Sequence, residues 1–324
     1  MLVSVIIASH NFGQYITEAV MSILTQGIDD IEVIVVDDAS TDNTREELAR
    51  ITDPRLRTEF LGKVGVGAAR NHGLRVARGR FIGYLDADDR WCPGKLKAQI
   101  DVLCSEPDVG FVFTNFVRFD ENGRHPNTQF DIIPELFDLP LRESKAGHAR
   151  VIEADALVSL VATRQFPAWI QTALIRADLT RGIEFPEDMR LSQDYCYMLR
   201  IYSVARAAFL EEPLVEVRRH LSNSYRRPEE KLKPDIDALS RVAREVRDAS
   251  QRDAILRRLG RAWLSLGHHH FWRREARPAV DAYVEAMQMP GSKLNALKHL
   301  AALPLLPLLP LAPLWSRMRA ADSR

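Results

Sequence analysis

Phe81-Ile82-Gly83-Tyr84-Leu85-Asp86-Ala87-Asp88-Asp89-Arg90-Trp91 is the stretch on which the reading of this 324-residue chain turns. Residues 81–85 form a short apolar run of strand length, as expected of a strand buried on both faces. Three carboxylates within four positions follow at once. Acids are favourable ahead of a helix, and Pro93 opens one here. Capping alone accounts for one acid, but not for three whose mutual repulsion must be relieved by a cation, a donor or water. Hard oxygen ligands suit Mg²⁺ or Mn²⁺, which keep waters and bind substrate phosphates.

Outward from that stretch the chain alternates between two periods. Residues 2–8 and 31–36 are continuous apolar runs, and 57–61 and 109–119 read as further strands. Ile16, Ala19, Val20, Ile23 and Leu24 recur at helical spacing between the first two. Residues 42–51 read as a helix capped by Ser40 or Thr41. A glycine-rich loop, Gly62 to Gly73, leads into a helix ending near Ala77. This β-α-β-α order predicts an α/β fold, a mostly parallel sheet between helices. Ligands of such sheets sit at the carboxyl ends of strands. Asp37 and Asp38 end the second strand there, as Asp86, Asp88 and Asp89 end the fourth. Glycines before a helix can approach phosphate oxygens, with Arg70 as a diphosphate or base contact. A dinucleotide-binding fingerprint fits poorly, because Arg70 stands where it has glycine or alanine and the acid precedes the loop.

Pattern is lost over 120–150, read as a loop, and returns as a helix at 151–163, a strand or helix start at 170–176 and a helix at 191–206. Residues 229–290 read as helical and basic. Prolines at 304, 307, 310 and 313 forbid a regular helix over 300–314. The formal charge is zero, but residues 205–324 hold 22 of the 44 Lys and Arg and 14 of the 44 Asp and Glu. That segment therefore carries +8 and the first 204 residues −8. The acidic part argues against nucleic acid and fits a cation site. The basic part is a solvated helical surface or meets an anionic membrane. Three cysteines make no metal spacing and no disulfide framework, which suits a reducing cytoplasm. No run reaches the roughly 18 apolar residues of a spanning helix.

The segments SVIIASHN, VVDDASTDNT, GVGAARNHGL and FIGYLDADDRWCPGKL together resemble the nucleotide-sugar domain of family 2 glycosyltransferases, over residues 1–120. The resemblance implies the GT-A fold and an inverting transfer of a sugar from a nucleotide diphosphate-sugar, here a UDP-sugar, to a saccharide or lipid-linked saccharide. It implies Asp38 at the nucleotide base, Asp86 at the ribose or metal waters, and Asp88 as ligand of Mg²⁺ or Mn²⁺. Ala8, Ser9 and Asn11 would line the nucleotide pocket, in an Ala-Ser-His-Asn run where the family often has Pro-x-Tyr-Asn. The family's base opens a helix in the second half. Leu191-Ser-Gln-Asp-Tyr-Cys-Tyr-Met-Leu-Arg200 matches it and makes Asp194 the candidate, with Gln193 where Glu is frequent and Glu187 and Asp188 as rivals. Arg218-Arg-His220 resembles the family's Arg-x-His, whose His lies near the diphosphate.

The expected organisation is a nucleotide-sugar half at 1–120, an acceptor and base half at 121–228, and a helical extension at 229–324. Within the extension, Trp263 to Pro290 resembles one tetratricopeptide hairpin. Cell-surface polysaccharide or glycolipid assembly at the cytoplasmic face of the membrane is the expected setting. Two other readings stay open: a catalytically silent nucleotide-sugar-binding scaffold, and a nucleotidyltransferase. The latter would need a Lys- and Arg-rich loop after Ala8, where none stands.

Overall fold

Val3–Ser9 (β1) and Ile31–Asp38 (β2) are buried along their length, as their apolar runs require. The computed structural model describes residues 2–163, 165–220 and 228–302. β1 and β2 are joined by Gly13–Leu24 (α1), and Thr44–Ala49 (α2) leads to Leu56–Leu61 (β3). Val66–Val76 (α3) then feeds Phe81–Tyr84 (β4). These four strands run parallel in the order β3-β2-β1-β4. Successive residues of β2 point to opposite faces. Val33 and Val35 pack with α1, and Ile34 and Val36 pack with Ala69 of α3, so helices cover both sides.

Arg90–Trp91 (β5) and Lys95–Ser105 (α4) follow, then the long Val109–Asp120 (β6). The sheet does not stop at residue 120. Gly123–Thr128 (β7) folds back antiparallel on β6. Leu141–Glu143 (β8) and Arg150–Ile152 (β9) pair with one another. The span expected to be a loop thus contributes three strands. Short strands with two apolar side chains or fewer give no periodic signal. The helix expected at 151–163 is also shorter. Val151 and Ile152 are fully buried β-branched residues on a strand held between β11 and β8. The helix proper, Ala156–Ala162 (α5), starts only where the Asp155 carboxylate accepts from the Val158 N–H at 3.0 Å.

Leu174–Arg176 (β10), preceded by a single 3₁₀ turn, lies antiparallel between β4 and β6. Gln193–Val204 (α6) precedes Arg206–Arg218 (β11), which runs parallel to β6 and carries β5 and β9. Residues 42–43, read as helix, lie outside α2. The Asp42 carboxylate accepts from the Thr44 N–H and from the Gly13 N–H, so it ties two loops rather than lying in the helix.

Met1–Asn223 form one compact unit and Ser224–Arg324 another. The second contains Pro228–Glu245 (α7), Ala249–Trp272 (α8), Ala276–Met287 (α9) and Lys293–Ala302 (α10). Gly267 in α8 lets the Tyr283 ring of α9 approach, since a Cβ there would sit 2.4 Å from it. No helix among the described residues is long and apolar enough to cross a membrane. The proline-rich part of 300–314 lies outside the described residues beyond Ala302.

Candidate active site

Parallel strands deliver their carboxyl ends to one edge, and β1, β2 and β4 deliver Ser9, Asp38 and Asp86 there. Asp38 is buried, and its carboxylate accepts from the backbone N–H groups of Val64 at 2.6 Å and Gly65 at 2.9 Å. The glycine loop therefore directs its first donors to Asp38 and not to open solution. Gly65 sits at φ +93°, a conformation that favours glycine. A Cβ on Gly67 would meet the Pro186 carbonyl at 2.8 Å, so this glycine serves close packing. Each carboxylate oxygen of Asp38 keeps a further lone pair for a ligand N–H.

His10, in the Ala-Ser-His-Asn run, braces the loop after β1. Its Nδ1 donates to the Asp38 carbonyl oxygen at 2.7 Å and so holds the β2 end against that loop. Asn11, at φ +61°, accepts from the Thr41 N–H with its side-chain oxygen at 2.7 Å and donates its own N–H to Ser40 Oγ. Ser40 and Thr41 thus serve this loop junction rather than capping α2. Ala8 packs on the α3 face beside Ile34 and Val36.

Arg70 in α3 forms an ion pair with Asp86 at 2.6 Å. Desolvation raises the Asp86 carboxyl above its ordinary value; Arg70 opposes this, and Asp88 and Asp194 add repulsion. Asp194, in the first turn of α6, therefore lies within electrostatic reach of a strand end more than 100 residues earlier. Asp89 is raised well above the carboxylate range, first by burial, then by Asp88 and Asp86. It is held by the Arg218 backbone N–H at 2.8 Å and by Gln171 Nε2 at 3.2 Å. Asp88 Oδ2 meets His220 Nε2 at 2.8 Å. The rival Glu187 accepts from Asn71 Nδ2 at 3.0 Å, a side chain that also clamps the backbone of Phe185. The Phe185 ring stacks on Tyr197 at 3.9 Å and lies 5.5 Å from the Arg70 guanidinium. It thus forms the floor under the Arg70–Asp86 pair.

Buried polar atoms without a partner are costly. Three such atoms belong to residues of this group: Ser9 Oγ, Arg70 Nη1 and Gln193 Oε1. An incoming polar ligand would satisfy them. Among the described residues no group of three or more His, Cys, Asp or Glu side chains is placed to hold a metal ion unaided. Ser222 and Ser224, beyond the Arg-x-His run, lie outside the described residues.

Residues 4–156 match the family model for glycosyl transferase family 2. Over that span the chain is similar to family 2 glycosyltransferases. It is 37% identical over 124 residues, 38% of its own length and 48% of the relative's, to the E. coli UDP-Glc:alpha-D-GlcNAc-diphosphoundecaprenol beta-1,3-glucosyltransferase WfgD. The chain spans between 35% and 59% of the lengths of the curated relatives it matches most strongly. S. aureus TarS 1-349, solved in complex with UDP-GlcNAc, shares the fold at a TM-score of 0.68 and 20% identity, over 95% of this chain and 88% of that one. The mannosyltransferase PcManGT from Pyrobaculum calidifontis, solved with GDP-Man and Mn²⁺, has a TM-score of 0.54 and 23% identity, over 99% and 84%. The chain thus has the expected GT-A architecture, and β7, β8 and β9 fall within the matched residues.

Proposed function

We propose that the chain is an inverting glycosyltransferase that moves a sugar from a UDP-sugar to a hydroxyl of a saccharide or lipid-linked saccharide in cell-surface polymer assembly. The observation that carries this reading is that Asp88 and Asp194 lie within electrostatic reach of Asp86 at the strand ends where Asp38 closes β2, with Ser9 Oγ and Arg70 Nη1 buried without a partner. A base-recognising carboxylate, a phosphate-binding group and a second carboxylate near the reacting carbon are what such a transfer needs. The donor chemistry of the relatives and of TarS supports UDP-sugar as donor, and the diphosphoundecaprenol relative supports a lipid-linked acceptor at the cytoplasmic face.

The donor set fits a divalent cation. Asp88 and His220 offer one oxygen and one nitrogen ligand side by side; burial and then carboxylate repulsion raise Asp86 and Asp89, and a cation relieves the repulsion. Asp88 and His220 would hold Mg²⁺ or Mn²⁺, which neutralises charge on the departing diphosphate when bound. Arg70 holds Asp86 in place and keeps one N–H for a donor oxygen. Asp194 takes the proton of the acceptor hydroxyl, and one base without a covalent intermediate gives inversion.

Thermal stabilisation by UDP tests the reading through ligand linkage. UDP with Mn²⁺ is expected to raise the melting temperature, UDP in excess chelator is not, and Asp88→Ala removes the metal-dependent part. Equal stabilisation with and without chelator defeats the metal assignment. A silent scaffold would bind UDP-sugar in the same way yet release no free sugar from it over long incubation with metal.

A further inference from the structure

Arg218 stands at the end of β11, where the strand meets the acidic turn after β4, and its contacts reach every part of that corner. Its backbone N–H donates to Asp89 Oδ1 and its Nε donates to the Asp88 carbonyl oxygen, each at 2.8 Å. Its remaining guanidinium edge is ion-paired with Glu18 of α1. The guanidinium plane lies 4.6 Å over the Tyr15 ring and 4.4 Å over the Phe119 ring. Tyr15 in turn stacks on the His220 ring at 5.5 Å. The support is itself braced, since Arg90 ties Glu18 to Glu216 and Arg124 adds a second cation on Glu216. With 17% of its side chain exposed, Arg218 is a clamp and not a surface charge.

We propose that Arg218 is a positioning residue for the cation site: it fixes the Asp88 backbone and, through Tyr15, the His220 imidazole at one separation before any ligand arrives. This rests on the glycosyltransferase reading, with Asp88 and His220 as the ligands. Two carboxylates on a turn repel one another, and a turn held only by its ends would relax outward. Arg218 grips the turn by its main-chain N–H on Asp89, which any residue but proline would keep, and by its Nε on the Asp88 carbonyl, which needs the planar fork and not just a point charge.

Electrostatics alone and positioning predict opposite signs. A guanidinium beside a cation site disfavours the cation, so deleting its charge would tighten Mn²⁺ binding if charge were its only contribution. Loss of positioning weakens it, as outer partners of metal ligands typically do by about 10- to 100-fold.

Mn²⁺ affinity is read by electron paramagnetic resonance titration of the full chain with saturating UDP and no acceptor. Arg218→Gln is expected to bind Mn²⁺ about tenfold or more weakly, and Arg218→Lys, which keeps the charge but not the fork, to recover only part of the loss. Affinity that is unchanged or higher in Arg218→Gln overturns the proposal. Amide hydrogen exchange in metal-free protein gives a second readout. The segment 86–91 is expected to exchange faster in Arg218→Gln while β1 and β2 keep their protection, and unchanged exchange in 86–91 also overturns it. Should Arg218→Gln fail to fold, Tyr15→Leu takes its place, a neutral change that removes the ring between guanidinium and imidazole. It is expected to weaken Mn²⁺ several-fold, and no change overturns the proposal. Wild-type protein that binds no Mn²⁺ sinks the metal reading instead, and the exchange experiment still decides the clamp.

Discussion

Asp194 shows how far single residues can be read. Its assignment as base rested on the resemblance of a ten-residue segment, and its electrostatic reach to Asp86 is consistent with that role. Glu187 differs in kind, being tied to Asn71 in the wall of the Phe185 floor. Asp194→Asn keeps shape and removes the proton acceptor. A positioned general base contributes typically about 10²–10⁴-fold, so turnover is expected to fall by at least about two orders of magnitude while UDP affinity is kept. Glu187→Gln, which can still accept from Asn71, should be mild. Steady-state kinetics with a matched donor and acceptor check this, and near-wild-type turnover in Asp194→Asn removes the residue from its role. Acids at strand ends were legible because charge there contradicts burial. Gln171 and Glu18 were not, because a polar residue whose partner lies tens of residues away leaves no local pattern.

At the scale of elements, the strands flanked by amphipathic helices were legible and the 120–150 span was not. β8 and β9 hold their place through long-range contacts rather than through their own composition. The fully buried Glu106 carboxylate, at the end of α4, accepts from Arg142 Nη1 and Nη2 of β8, both at 2.9 Å, and from the Lys145 N–H at 2.7 Å. The Arg142 hydrogen bonds hold Glu106 down at about 2. A depressed carboxylate contributes stability that is present above its unfolded pKa and lost as pH falls through the folded one. For Glu106 that window runs from about 4.5 down to about 2. Arg142→Gln is therefore expected to melt about 5 °C lower near pH 7, from the loss of charged hydrogen bonds to a buried group. The gap to wild type should close as pH falls from 4.5 towards 2. A gap that stays constant across that range would mean the bridge is not what anchors β8.

The whole molecule divides its charge unevenly. The first 204 residues carry −8 and residues 205–324 carry +8. In the C-terminal unit, α10 leaves Leu294 at 66% and Leu297 at 43% exposure, with Lys293 and Lys298 exposed on the same helix. Beyond it the sequence runs apolar through Pro304, Pro307, Pro310 and Pro313 and then meets Arg317 and Arg319. Apolar area bounded by cations favours an interfacial position on anionic lipid, at roughly 1 kcal/mol per Lys or Arg near the surface. A lipid-linked acceptor would place the enzyme there in any case, which is why the test must separate the segment from the substrate. Flotation with acceptor-free vesicles does so. Full-length protein is expected to float with anionic vesicles and much less with neutral ones, and a form ending at Ala302 to stay largely in the soluble fraction. Raising salt should release the full-length chain, because the attraction of exposed cations is screened within about 10 Å at 0.1 M ionic strength. Equal flotation of the two forms would move the contact away from the tail, leaving α10 with its exposed leucines as the surface to mutate. If neither form floats, the basic half is a solvated surface.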